Sequence, residues 1–146
     1  MSATVREFMN SQMVYINDRT RPEIALQSIL DFGITAVPVL DDDERPVGVV
    51  SLRDLVNPRK EGMRVTEAVA TVGVEETIEG AARRLAEAGV HHLVVLDVAG
   101  RAVGMLSAID IVRALMGLQP KHPQAIDGVG RKGDVPAGDQ TLNAAR

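Results

Sequence analysis

Gly48-Val49-Val50-Ser51-Leu52-Arg53-Asp54 returns as Gly104-Met105-Leu106-Ser107-Ala108-Ile109-Asp110. Each residue's counterpart lies 56 positions downstream, from Gly48 to Gly104, Ser51 to Ser107 and Asp54 to Asp110, and an upstream pair, Gly33 and Gly89, keeps the same spacing. A constant offset over separate landmarks marks a tandem duplication. In each copy an apolar run ends in a serine, and a carboxylate follows three residues later, where a new apolar-periodic segment begins. This pattern predicts a strand feeding a helix whose first turn carries Ser and Asp. A helix start presents unpaired amides and partial positive charge, which favour an anion, and a nearby carboxylate suits a sugar diol. The stretch therefore points to a nucleotide seat, present twice.

Working outward, Thr4-Val5-Arg6-Glu7 has the spacing of a capping box and predicts a short helix to about Met9, followed by a strand over Met13-Val14-Tyr15-Ile16. Thr20-Arg21-Pro22-Glu23 predicts a second capping box opening a helix through Phe32, with Ala25, Ile29 and Phe32 on one face, Leu26 and Leu30 beside them, and Gly33 as a left-handed cap. Ala36 to Leu40 reads as a strand, with Pro38 suggesting a sheet edge or a bulge. The acidic run Asp41-Asp42-Asp43-Glu44 reads as a solvated hairpin tip, because it lacks the glycine-turned loop of a calcium hand. Pro46 to Val50 returns the chain and Ser51 to Val56 is helical. The second copy repeats the order after a polar connector, Asn57 to Met63. Its elements are a short helix from Val65 to Val69, a brief strand from Ala70 to Val72, a helix from Glu76 to Ala88, strands from His91 to Leu96 and Ala102 to Leu106, and a helix from Ser107 to Met116. One copy alone would bury too little surface for secure stability, so two copies packed about a pseudo-twofold axis are expected. The fold class is α+β, with βαββα-type repeats at 1–60 and 61–117 and a flexible tail at 118–146.

Composition narrows the function. Of 146 residues 45% are hydrophobic, enough for a globular core, and the net charge of −4 argues against binding a phosphate backbone nonspecifically. Two Phe, one Tyr and no Trp leave little to stack single-stranded bases, so nucleic acid is disfavoured. The absence of Cys removes disulfides and thiolate chemistry and is compatible with a reducing cytoplasm. The amino terminus has no signal-peptide core, and no apolar run reaches membrane-spanning length, so a cytoplasmic protein without membrane contact is expected. There is no P-loop and no placeable catalytic triad or carboxylate pair, which reads as a non-enzyme.

Gly33-Ile34-Thr35-Ala36-Val37-Pro38-Val39-Leu40-Asp41 with Gly48 to Leu55, and Gly89-Val90-His91-His92-Leu93-Val94-Val95-Leu96-Asp97 with Gly104 to Ile111, resemble a tandem pair of cystathionine-β-synthase (CBS) domains, a Bateman module, over Thr4 to Gly117. The resemblance implies two tandem CBS repeats binding AMP, ADP, ATP or S-adenosylmethionine in the cleft between them, with no required cofactor. It implies that Asp54 and Asp110 hold ribose hydroxyls, while Ser51, Ser107 and Arg53 meet phosphate. Nucleotide-sensing members carry His or Arg pairs at the place of His91 and His92, which implies a phosphate role for these too, and an adenine pocket at Thr35, Ala36, Val37 and Pro38. A phosphate-bound histidine would make binding weaken as pH rises toward 8.

The same residues have plainer readings. Ser-x-x-Asp is also a helix cap, although Asp is short for the usual reach-back of Glu or Gln, which would leave its oxygens for a ligand. Arg53 could be an exposed helix residue, and His91 and His92 ordinary strand histidines; no third ligand is evident for a metal. In the last helix Ala108, Ile111 and Leu115 mark one apolar face and Ile109, Val112 and Met116 another, which calls for a second covering surface and suggests a homodimer. The expected function is a stand-alone regulatory module that senses adenosyl ligands and signals to a regulated protein partner or oligomer. The alternative is a structural or oligomerisation module without ligand.

Overall fold

The computed structural model describes residues 3–56 and 69–122. The predicted connector, the helix from Val65 and the tail from residue 123 lie outside the described residues. Contacts gather the described residues into two units, one formed by 3–13 with 70–122 and the other by 14–56 with Val69.

The second unit contains α2 (Pro22–Phe32), β1 (Ala36–Leu40), β2 (Pro46–Ser51) and α3 (Leu52–Val56). The first contains α1 (Val5–Phe8), β3 (Thr71–Gly73), α4 (Ile78–Ala88), β4 (His92–Leu96), β5 (Ala102–Ser107) and α5 (Ala108–Leu115). β1 and β2 are antiparallel; β3 runs parallel to β4, which runs antiparallel to β5. The duplication survives in the register. Ala36 pairs with Ser51 and Val39 with Gly48, as His92 pairs with Ser107 and Val95 with Gly104, and both hairpins slip at the same place, Val39/Leu40 and Val95/Leu96.

One difference between the copies has a covalent cause. Val94 donates its N–H to Ala70 O at 3.0 Å, which helps make β3 a strand. The counterpart of Val94 is Pro38, which has no N–H to donate. The predicted strand Met13 to Ile16 accordingly contracts to a bridge between Ile16 and Val39, with Ile16 N donating to Pro38 O at 3.1 Å. Pro38 also precedes the bulge, as its position suggested.

Two predicted capping boxes are not formed. Thr20 is buried and turned toward Asn17, whose N–H donates to Thr20 Oγ1 at 3.2 Å, so Arg21 takes the cap position of α2 without a side-chain bond. Thr4 stands at the cap position of α1 without a side-chain bond to the helix, because the amides it would cap are engaged elsewhere: Arg6 N donates to Val74 O and Glu7 N to Thr4 O, each at 3.1 Å. In α2, Ala25 and Ile29 are buried as predicted and Leu30 is exposed.

Val5, Phe8 and Met9 join the core built by Val72, Ile78, Leu93, Val95, Leu106 and Ile111, so the amino-terminal stretch packs with the second half of the chain. The other core gathers Val14, Ile16, Ala25, Ile29, Val37, Val39 and Val50. Asn10 pairs with Met105 through bonds of 2.8 and 3.1 Å, and the close approach explains Gly104: a Cβ there would lie 3.0 Å from Asn10 O and 2.9 Å from Met9 Sδ. Gly104→Ala is expected to destabilise the protein by roughly 1–3 kcal/mol, the range typical of overpacking, measured as a lowered urea midpoint with unchanged m-value; an unchanged midpoint would contradict this packing.

Candidate functional site

In each copy the end of the second hairpin strand, the first helical turn and the start of the opposing strand come together. Leu52 N donates to Thr35 O at 2.8 Å and Ala108 N to His91 O at 2.9 Å, which carries the hairpin pairing one step into each helix. The junction of strand and helix is therefore fixed against Thr35 and Ala36 in one copy and against His91 and His92 in the other.

At each junction the serine and aspartate bind one another. Ser51 N and Oγ donate to Asp54 Oδ2 at 3.0 and 2.9 Å, and Asp54 N donates to Ser51 Oγ at 3.2 Å. Ser107 and Asp110 repeat this with 2.9, 2.8 and 3.3 Å, a complete capping box for α5. The short side chain of Asp thus does reach back, contrary to the expectation from its length. Each carboxylate thus gives one oxygen, Oδ2, to the start of its helix. In Asp110, Oδ1 is buried and makes no hydrogen bond, and the residue is 1% exposed. Asp54 is half-buried.

The remaining predicted residues divide. Arg53 is exposed on the first turn of α3, and Thr35 is exposed at the entry to β1. Ala36 and Pro38 are buried and share one face of β1; Val37 points to the other face, where its side chain belongs to the core cluster, so it is not placed to line an adenine pocket. His91 is exposed and His92 half-buried on the face of β4 opposite the core residues Leu93 and Val95.

Burial holds the His92 imidazole below its ordinary value of 6.5, and the neighbouring His91 adds to this, while Asp110 pulls the other way. The folded protein without ligand therefore favours the neutral ring more than a free histidine would.

Sequence reasoning missed His122. α5 ends at Leu115, and Gly117 just beyond it, with φ of 74°, turns the chain back. Leu118 N donates to Arg113 O at 2.9 Å and Arg113 Nε to Gln119 O at 2.8 Å, so residues 118–122 return along α5 and bring His122 Nε2 to 3.9 Å from Asp110 Oδ1. The only local signal was Gly117 itself, a glycine suited to a reversing helix end. In α5, Ile111 is buried in the core while Leu115, expected beside it, is exposed together with Ile109, Val112 and Met116.

The chain belongs to the CBS-domain family, whose model matches residues 5–60 and 63–117. It forms a tandem pair of such domains, and solved CBS pairs share its fold. One is a CBS-pair protein of Arabidopsis thaliana, CBSX2, 27% identical, with a TM-score of 0.68 over 80% of this chain and 96% of that one. A second structure of CBSX2, in complex with AMP, is 28% identical with a TM-score of 0.68 over 78% of this chain and 96% of that one. The CBS domain pair of protein MJ0100, in complex with 5-methylthioadenosine and S-adenosyl-L-methionine, is 18% identical with a TM-score of 0.75 over 80% and 98% of the two chains, a likeness of fold. A homoserine O-acetyltransferase of Methanosphaerula palustris is 30% identical over 80% of this chain; the chain spans 24% of that relative's length. No helix among the described residues is long and apolar enough to cross a membrane.

The sign of the His92 effect on stability follows from its lowered pKa. The unfolded chain accepts a proton near pH 6.5 that the folded state resists, so stability is complete above that pH and falls as pH drops through 6.5 toward the lowered folded value. Urea unfolding at pH 7.5 and 5.5 is expected to show a smaller acid-induced loss for His92→Gln than for wild type; equal losses would contradict the placement of His92.

Proposed function

We propose that the chain is a regulatory, non-catalytic module that binds adenosyl ligands such as AMP, ADP, ATP or S-adenosylmethionine at the strand-to-helix junction of each repeat. The carrying observation is the repeated Ser-x-x-Asp junction with its identical register, in a fold shared with an AMP complex of a 28% identical CBS pair. In this reading Oδ2 of Asp54 and Asp110 keeps the helix capped, and Oδ1 receives the ribose hydroxyls. The exposed Arg53 guanidinium approaches phosphate on one copy, and His91 and His92 take that place on the other; the serine hydroxyls, whose protons go to aspartate Oδ2, stay with the helix cap rather than meeting phosphate. Thr35, Ala36 and Pro38 border the base, and Val37 fixes the strand beneath them. The ligand signals through a change in the populations of two arrangements, to which it must bind with different affinity.

We place the protein in the cytoplasm and infer that it forms a homodimer through the exposed side of α5, where Ile109 is 52%, Leu115 55% and Met116 70% exposed. A face of this kind in water favours a partner surface, and a regulated protein could share it. Light scattering coupled to size exclusion should report twice the chain mass at tens of micromolar and a lower mass for Leu115→Glu; a wild-type monomer would contradict the dimer.

Titration calorimetry with AMP, ADP, ATP and S-adenosylmethionine tests the ligand reading. Asn at either acid retains the capping acceptor and loses the charge, so Asp54→Asn and Asp110→Asn should each weaken their own seat by about 10- to 100-fold, the worth of a hydrogen bond to a charged group. Absence of binding by wild type, or wild-type affinities in both variants, would refute it.

A further inference from the structure

We propose that residues 118–122 form a strap that closes the second seat, with His122 set against the oxygen of Asp110 that an incoming hydroxyl must reach. The proposal rests on the ligand reading above and adds a control to one of its two seats.

A hydroxyl donating to a carboxylate needs an oxygen-to-oxygen distance of about 2.5–3.0 Å. Asp110 Oδ1 has almost no exposed surface and Oδ2 is occupied by Ser107 N and Oγ, so no ligand hydroxyl reaches this carboxylate until a neighbouring group moves. α5 is not that group, because Ile111 anchors it in the core and the capping box ties its first turn to β5. The strap is better suited to move. It leaves α5 at Gly117 and passes through the exposed Leu118 and Gln119. Leu118 N donates to Arg113 O and Arg113 Nε to Gln119 O along its course. At its end His122 Nε2 stands 3.9 Å from Oδ1, longer than a hydrogen bond, so it covers the oxygen without satisfying it. A buried acceptor left without a donor is costly to maintain and is relieved when a donor arrives. The closed strap therefore lowers the apparent affinity of the second seat by the fraction of molecules in which it is open.

The test uses the full chain and two variants, His122→Ala, which removes the cover, and Arg113→Met, which releases the other end of the strap without touching the seat. Without ligand, carbodiimide coupling of Asp110 to glycine ethyl ester, mapped by mass spectrometry, should rise in both variants. In an Asp54→Asn background, which leaves the second seat, both should bind AMP about three- to tenfold more tightly. Unchanged coupling at Asp110 in both variants would overturn the strap, and increased coupling with unchanged AMP affinity would overturn its control of the seat. Failure of every protein, wild type included, to bind AMP would instead overturn the ligand reading, with the coupling still deciding whether the strap covers Asp110.

Discussion

At both junctions a serine offers its backbone N–H and its hydroxyl to the same oxygen of an aspartate three residues ahead. This double donation holds the chain at the angle where a strand becomes a helix, and it divides the carboxylate into an oxygen spent on the fold and one that is not. The junction then fixes the hairpin, since the residue after each serine donates to the carbonyl before the opposing strand. The helix cap thus occupies one half of each carboxylate, and the proposed ligand seat calls only on the other.

The duplicated scaffold carries two unequal junctions. Ala36 in one copy stands where the other has His92, and the half-buried Asp54 where the other has a sealed Asp110. Even the hairpin tips differ: Glu44 adopts φ of 66° where its counterpart Gly100 adopts 83°, although Asp41 and Asp97 bind the turn amides in the same way. A left-handed conformation costs glutamate about 1 kcal/mol more than glycine, small enough for the turn's hydrogen bonds to impose it. The hairpin registers match while the side chains beside them differ, so the proposed seats would differ in affinity.

The α+β repeat was legible because its signals are local and doubled. Glycines at helix ends, strands bounded by turn residues and the 56-residue offset between Ser51 and Ser107 need no knowledge of distant partners. What was not legible depended on long-range neighbours or missing donors. Nothing near Val5 and Phe8 announces that they enter the core of the second half, and the weakness of the Met13 to Ile16 strand is visible only once Pro38 is set opposite it. At the junctions, the pairing of serine with aspartate was readable, while the use of a single carboxylate oxygen for the cap was not. Val37 was drawn into the candidate pocket by its place in the motif, although strand alternation sends it to the core. His122 escaped because its relation to Asp110 depends on a reversal at Gly117 rather than on any sequence periodicity.

A crystal structure of the full chain with AMP would test the central claim most directly. The account predicts a ribose hydroxyl within hydrogen-bonding distance of Oδ1 of Asp54 or Asp110, with the serine N–H and hydroxyl still donating to Oδ2. AMP bound away from both carboxylates, or a ribose that takes Oδ2 and dismantles the cap, would contradict it.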